Sequence, residues 1–164
     1  MAESFEITDE MRALVGVESE SWTHEVTTTS VRAFARGVGY TDPVYFDEAE
    51  ARKAGYSSLP APPTYLGTPV FIPGRSNDTF SGPRPTGPTL NHGLPGLLDG
   101  GTETIYERPI VAGDVLNVTT KLADLEVKQS RGLGVMLIST TETICRDAHT
   151  GDLVARQRAQ AIFY

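Results

Sequence analysis

The chain has little of what most site chemistries require. One of its 164 residues is a cysteine, Cys145, so no internal disulfide can form. A cytoplasmic location is the expectation from that usage. Histidine occurs three times, at His24, His92 and His149, and the spacing fits no metal set. Gly-x-Ser-x-Gly and glycine-rich phosphate loops are both missing, and no cofactor is expected. No apolar run approaches the roughly 20 residues of a membrane span, and the opening MAESFEITDE is acidic rather than leader-like. Positive charge is scarce as well: 14 Lys and Arg against 21 Asp and Glu give a net charge of −7. That balance argues against nucleic acid or an anionic membrane as the main partner, although a few local cations can still hold an anionic ligand. The length suits one domain, 1–164, with room for a proper core.

What is present is most ordered at 28–64. Val31, Phe34, Ala35 and Val38 recur at i, i+3, i+4 and i+7, which gives a helix one apolar face with Arg32 and Arg36 opposite. Thr28 or Thr29 can cap its start, and Gly37 and Gly39 mark its stop. Asp42-Pro43 then forces a turn, because proline biases the preceding residue away from the helical region. Asp47 caps a second helix that runs to Ala54 and closes on Gly55, with Glu48 and Arg52 as an i,i+4 ion pair.

Before this stretch a short helix is expected over 7–15, capped by Thr8, with Met11, Leu14 and Val15 facing inward and Gly16 ending it. Residues 21–27 alternate as a first strand carrying His24, and a single strand histidine is usually structural. Residues 65–71 are apolar but punctuated. From 73 to 95 proline and glycine recur too often for a helix or a central strand, so a long loop is expected, with Asn91-His92-Gly93 its most chemically suggestive triplet. Strand patterns follow: alternation over 102–108, a break at Pro109 and a turn at Ala112-Gly113-Asp114. A long strand over 115–127 has Leu116, Val118, Thr120 and Leu122 on one face. Turns at 130–132 and 147–151 separate two further strands, 133–146 and 152–164. An early helix and a late antiparallel meander make an α+β layout, a sheet curling around a helix.

Five segments carry a resemblance. They are Gly39-Tyr40-Thr41-Asp42-Pro43-Val44-Tyr45-Phe46-Asp47, Ala54-Gly55-Tyr56, Ala61-Pro62-Pro63-Thr64-Tyr65, Leu98-Asp99-Gly100-Gly101-Thr102-Glu103 and Arg108-Pro109-Ile110-Val111-Ala112-Gly113-Asp114. Their order and spacing resemble the MaoC-like (R)-specific hydratase and dehydratase family. The resemblance implies a hot-dog fold, an antiparallel sheet wrapped around a central helix. In active members an Asp and a His near the helix end form the catalytic pair. Tyr40 stands here at the position of that Asp and Tyr45 at that of the His. Family members often work as paired hot dogs, one half carrying the dyad and the other shaping the acyl tunnel. This sequence is similar to the second kind, including dehydratase subunits of mycolic-acid synthesis that contain Ala-Pro-x-Thr-[FY].

Hydrating an enoyl thioester takes a base for the water, an acid for the α carbon and donors for the thioester oxygen. A tyrosine, with an ordinary pKa near 10, is a poor base at neutral pH. The resemblance therefore implies an acyl-thioester-binding subunit of an enoyl-thioester hydratase or 3-hydroxyacyl-thioester dehydratase. Its ligand would be a CoA or carrier-protein thioester, with the acyl group near Val38, Tyr40, Tyr45 and Tyr65. Lys128 and Arg131, around the turn after the long strand, are candidates for the phosphates. The partner would be a MaoC-like chain with an intact dyad, or a second copy in a dimer. Two alternatives stay open: an autonomous homodimeric hydratase or thioesterase with a site rebuilt from Asp42, Asp47 and His92, and a binding module without turnover.

Overall fold

The structure is a computed structural model that describes residues 5–67 and 90–164. Helix α1, Asp9–Ala13, is capped by Thr8, whose side chain accepts the Met11 N–H. It buries Met11 and is shorter than the 7–15 pattern suggests. Val15, expected to face inward, is 38% exposed. The chain leaves the helix there to run beside the sheet, with the Gly16 N–H donating to Leu122 O and the Ser19 N–H to Thr120 O.

Strand β1, Trp22–Glu25, leads into helix α2, Thr28–Gly37. The cap is Thr27 rather than Thr28 or Thr29. Thr27 accepts the Ser30 N–H at 3.0 Å while Ser30 Oγ accepts the Thr27 N–H at 3.1 Å, a reciprocal capping box that satisfies both backbone donors. Val31 and Ala35 are fully buried, and Phe34 packs at the margin of the core. Val38, the fourth residue of the apolar series, is the C-cap, its N–H donating to Phe34 O at 3.1 Å, and at 51% exposed it lies outside the core rather than on the buried face. Asp42 caps a 3-10 turn, Pro43–Tyr45, and Asp47 caps helix α3, Glu48–Lys53, as the sequence implies. Gly55 ends α3 with φ +93, a left-handed conformation natural only to glycine, and Arg52 pairs with Glu48 at 2.9 Å.

Strands β2, Leu97–Tyr106, β3, Val115–Ser130, β4, Gly134–Asp147, and β5, Leu153–Phe163, join β1 in one antiparallel sheet of order β1-β3-β4-β5-β2. The β3-β4-β5 meander is the expected one. A single register row, Trp22, Val118, Cys145, Ala155 and Tyr106, crosses all five strands on one face. Its centre is small and its ends are aromatic, which leaves a trough for α2. Val31 packs there with Leu116, Val118, Cys145, Val154 and Ala155. Bulges at Leu122/Asp124 and Asp99/Gly101 bend the strands, which suits a sheet closing over a helix.

The expected Pro/Gly-rich loop over 73–95 lies outside the described residues as far as residue 89, and 90–96 carry no regular structure. Of 65–71, Tyr65–Gly67 form a 3-10 turn and the remainder lies outside the described residues. Among the described residues no helix is long and apolar enough to cross a membrane.

Candidate functional site

A cleft of about 830 Å³ opens between the 43–45 turn with α3 on one side and residues 106–110 on the other. Its size falls in the roughly 300–1,000 Å³ range of small-molecule sites. The two walls meet because residues 59–61 run along 110–112: the Ala61 N–H donates to Ile110 O and the Ala112 N–H to Leu59 O, both at 2.8 Å. Tyr45, Tyr56 and Tyr106 line the cleft with Ile110, and Lys53 and Asp42 stand among the charged residues of its wall.

At the helix end the rings of Tyr40 and Tyr45 pack with centroids 5.0 Å apart. Burial raises the Tyr45 phenol above its ordinary pKa, and the nearby Tyr40, Asp42 and Tyr56 raise it further. Tyr106 donates its hydroxyl to Pro63 O at 2.6 Å. Burial, with a smaller contribution from Cys145, pushes its pKa up to about 12. Both phenols are therefore neutral at pH 7. They offer hydrogen bonds and apolar area rather than a base.

The cations of the wall are already engaged. Lys53 pairs with Glu50 at 2.6 Å. Arg108 holds Asp114 at 2.7 Å through Nη1 and Asp147 at 2.9 Å through Nη2. Asp114 also accepts the Val111 N–H at 3.0 Å, and Gly113 has φ +105, so the Arg-Pro-Ile-Val-Ala-Gly-Asp segment closes on itself as a turn. Asp147 is held below the usual carboxylate range, first by the N–H groups of His149 and Thr150, then by Arg108.

The residues singled out in the sequence are not all brought together. Asp42 accepts the Val44 N–H at 3.0 Å, and Asp47 accepts the Ala49 N–H at 2.7 Å, so both carboxylates serve as caps. His92 accepts the Leu94 N–H on Nδ1 and packs its ring on Phe163 with centroids 4.0 Å apart. Phe163 lies eight residues along β5 from Ala155, the neighbour of Tyr106. At 3.2–3.4 Å per residue this is roughly 25 Å of strand, so Asp42 and His92 form no dyad within one chain. Lys128 pairs with Glu126 at 3.0 Å beyond the same end of the sheet, and Arg131 is exposed in the turn after it. Neither borders the cleft.

Tyr65 belongs to the core rather than the cleft: it is 4% exposed, its hydroxyl is 2.7 Å from Ser30 Oγ, and its ring stacks on His24. Burial raises its pKa and the Ser30 bond draws it partly back. His24 is 2% exposed, between Trp22 and Tyr65, a structural position. Tyr106 and Ile110 were missed as lining residues. Their signal was the Arg-Pro-Ile-Val segment itself, which marks where the chain enters the sheet beside the cleft. Among the described residues no three His, Cys, Asp or Glu stand together as a metal site.

The family model described as FAS1-like, dehydratase domain region, matches residues 13–157. A UPF0336 protein of Parafrankia sp. (strain EAN1pec) is 33% identical over 135 residues, 80% of this chain and 78% of that protein. Another, from Thermobifida fusca (strain YX), is 31% identical over 103 residues, and the match spans 63% of each protein's length. The HadBC (3R-hydroxyacyl-ACP dehydratase) complex from Mycobacterium tuberculosis contains a chain that superposes with a TM-score of 0.68 at 22% identity, over 95% of this chain and 98% of that one. A protein described as a MaoC-like dehydratase gives a TM-score of 0.70 at 25% identity, over 93% of this chain and 42% of that one. The five-stranded antiparallel sheet around α2 is a hot-dog fold.

Proposed function

The chain belongs to the FAS1-like dehydratase domain region family, and from that premise we propose that it is the acyl-thioester-binding member of a hydratase or dehydratase pair. A second, MaoC-like chain supplies the Asp and His. The observation that carries this reading is the Tyr40–Tyr45 ring pair, 5.0 Å apart, where the resemblance places the catalytic dyad. A raised phenol cannot take a proton from water at neutral pH. Tyr45, with Tyr56, Tyr106 and Ile110, gives the cleft aromatic and aliphatic walls suited to an apolar chain, while Tyr40 backs Tyr45 from outside the lining. In the paired enzyme the partner's carboxylate and imidazole activate water and exchange the α proton. This chain holds the acyl part and excludes water from it.

Hydration of crotonyl-CoA and of a longer enoyl-CoA tests the proposal, measured with the purified chain alone and after co-expression with a MaoC-like chain that keeps both residues. The expected result is acyl-CoA binding without turnover alone and turnover in the pair. Turnover by the isolated chain overturns it. So does an inactive pair whose subunits co-purify and bind the thioester.

A further inference from the structure

The charges of the cleft wall do not cancel. Lys53 is offset by Glu50 at 2.6 Å, and Arg108 by Asp114 and Asp147 at 2.7 and 2.9 Å. Asp42 and Glu107 remain, one on each side of the cleft. Among the described residues neither is in an ion pair. Two uncompensated carboxylates facing a half-enclosed space give it a negative potential, which the low-dielectric walls focus.

The same wall has little to offer an anion. Pro43, Pro60, Pro63 and Pro109 line it without a backbone N–H. The N–H groups of Val44, Tyr45, Ala54, Tyr56, Ala61 and Glu107 already donate within the fold. An anion site is built from free N–H groups or unspent cations, and both are scarce here.

A cation meets the opposite. Tyr45, Tyr56 and Tyr106 bring three aromatic rings to the cleft, and the face of such a ring attracts an ammonium within about 6 Å of its centroid. Burial, then Tyr40, Asp42 and Tyr56, raise the pKa of Tyr45, which places that carboxylate and those rings beside it. The Tyr106 ring is held in place by its bond to Pro63 O. An alkylated ammonium suits this wall better than a bare one. It needs no hydrogen-bond acceptors, and its methyl groups bury against proline and tyrosine.

We propose that the cleft binds a small alkylated ammonium compound, its cation held among Tyr45, Tyr56 and Tyr106 and balanced by Asp42 and Glu107. The inference goes beyond the acyl-thioester reading and stands on charge and rings alone. An acyl group that ends in such a cation satisfies both, yet either can fail without the other.

The test compares choline with its neutral carbon isostere, in which a tert-butyl group replaces trimethylammonium. The two share a shape and differ in charge, so the pair isolates the cation. Each is titrated into the full chain and followed on the tyrosine ring protons by NMR. Choline is expected to bind at least about fivefold more tightly, the weight of roughly one cation–π contact. Its affinity should fall with added salt while that of the isostere stays constant. Asp42→Asn/Glu107→Gln should weaken choline several-fold and leave the isostere unchanged. Asparagine still caps the Pro43–Tyr45 turn, so the fold is kept. Equal affinity for the two compounds overturns the proposal, as does choline binding that the double variant leaves intact. A saturated acyl-CoA titrated in parallel separates the two readings. A chain that binds it without preferring choline loses this inference and keeps the thioester, and one that prefers choline and ignores acyl-CoA does the reverse.

Discussion

Tyr65 ties three elements together with one hydroxyl, 2.7 Å from Ser30 Oγ on α2 and 3.4 Å from His24 Nε2 on β1. Replacing it by Phe keeps the ring that meets Phe34 edge-on and stacks on His24. The cost is then the lost hydrogen bonding, about 1 kcal/mol, read as a lower urea midpoint at an unchanged denaturant slope. Cys145 gives the alkaline counterpart. Burial pushes its thiol up to about 12, and Tyr106 beside it also to about 12. Their unfolded values are about 8.5 and 10, so both groups favour the protonated, folded state. That contribution is complete below about pH 8 and declines as the unfolded chain ionises, through to about pH 12. Urea midpoints should therefore fall between pH 8 and 10, less steeply in Cys145→Ala. Ellman's reagent at pH 8 should leave the folded thiol untouched and react with it once urea is added.

At the scale of elements, two short sequence devices fix how helix and strands begin. The first is the Thr27/Ser30 box. Thr27→Ala removes the acceptor for the Ser30 N–H and should cost about 1 kcal/mol; Thr29→Ala, which touches no cap, should cost little. Thermal unfolding of the two variants decides between the cap seen here and the Thr28 or Thr29 suggested by the pattern alone. The box was hidden because its second member is a serine where the signature usually has Glu or Gln. The second device is the Arg108–Asp114–Asp147 cluster, which joins the β2–β3 turn to the β4–β5 turn. Asp114 accepts from Arg108 and from the Val111 N–H together, so Asp114→Ala should destabilise by on the order of 1–3 kcal/mol. Arg108→Lys should destabilise as well, because one ammonium cannot reproduce a guanidinium fork that spans two carboxylates. Acid acts on the same cluster. The Asp147 carboxylate lies below the usual range in the fold, so its stabilisation is complete above the ordinary Asp pKa, about 3.9, and is lost as pH falls below that. The acid limb of a stability–pH curve should flatten in Asp147→Asn.

Across the whole molecule, the features legible in the sequence are those with a period. The lengths of β3, β4 and β5 follow from alternation broken by turn residues, and the face of β3 that carries Leu116, Val118 and Leu122 is the buried one. The seat of α2 was not legible, because it depends on Cys145 and Ala155 being neighbours across a register that only the folded sheet defines. The cleft is harder still: Tyr56 and Tyr106 both line it although 50 positions separate them. Charge suffered most from this blindness to distance. Lys128 and Arg131 looked suited to the phosphates of a thioester whose acyl group lies by Tyr45. Yet Lys128 stands ten residues along β3 from Val118, which shares the row of Tyr106, or roughly 33 Å of strand, and it already pairs with Glu126. Lys53 lies in the cleft wall, with an exposed ammonium held by Glu50. Titration calorimetry with a saturated acyl-CoA should therefore give Lys128→Ala/Arg131→Ala the wild-type Kd within about twofold, since distant exposed charges are screened beyond about 8–10 Å. Lys53→Glu should weaken binding several-fold, and more at low salt than at high. The reverse ranking would overturn the proposed placing of the acyl-thioester in the cleft and favour the hairpin end of the sheet.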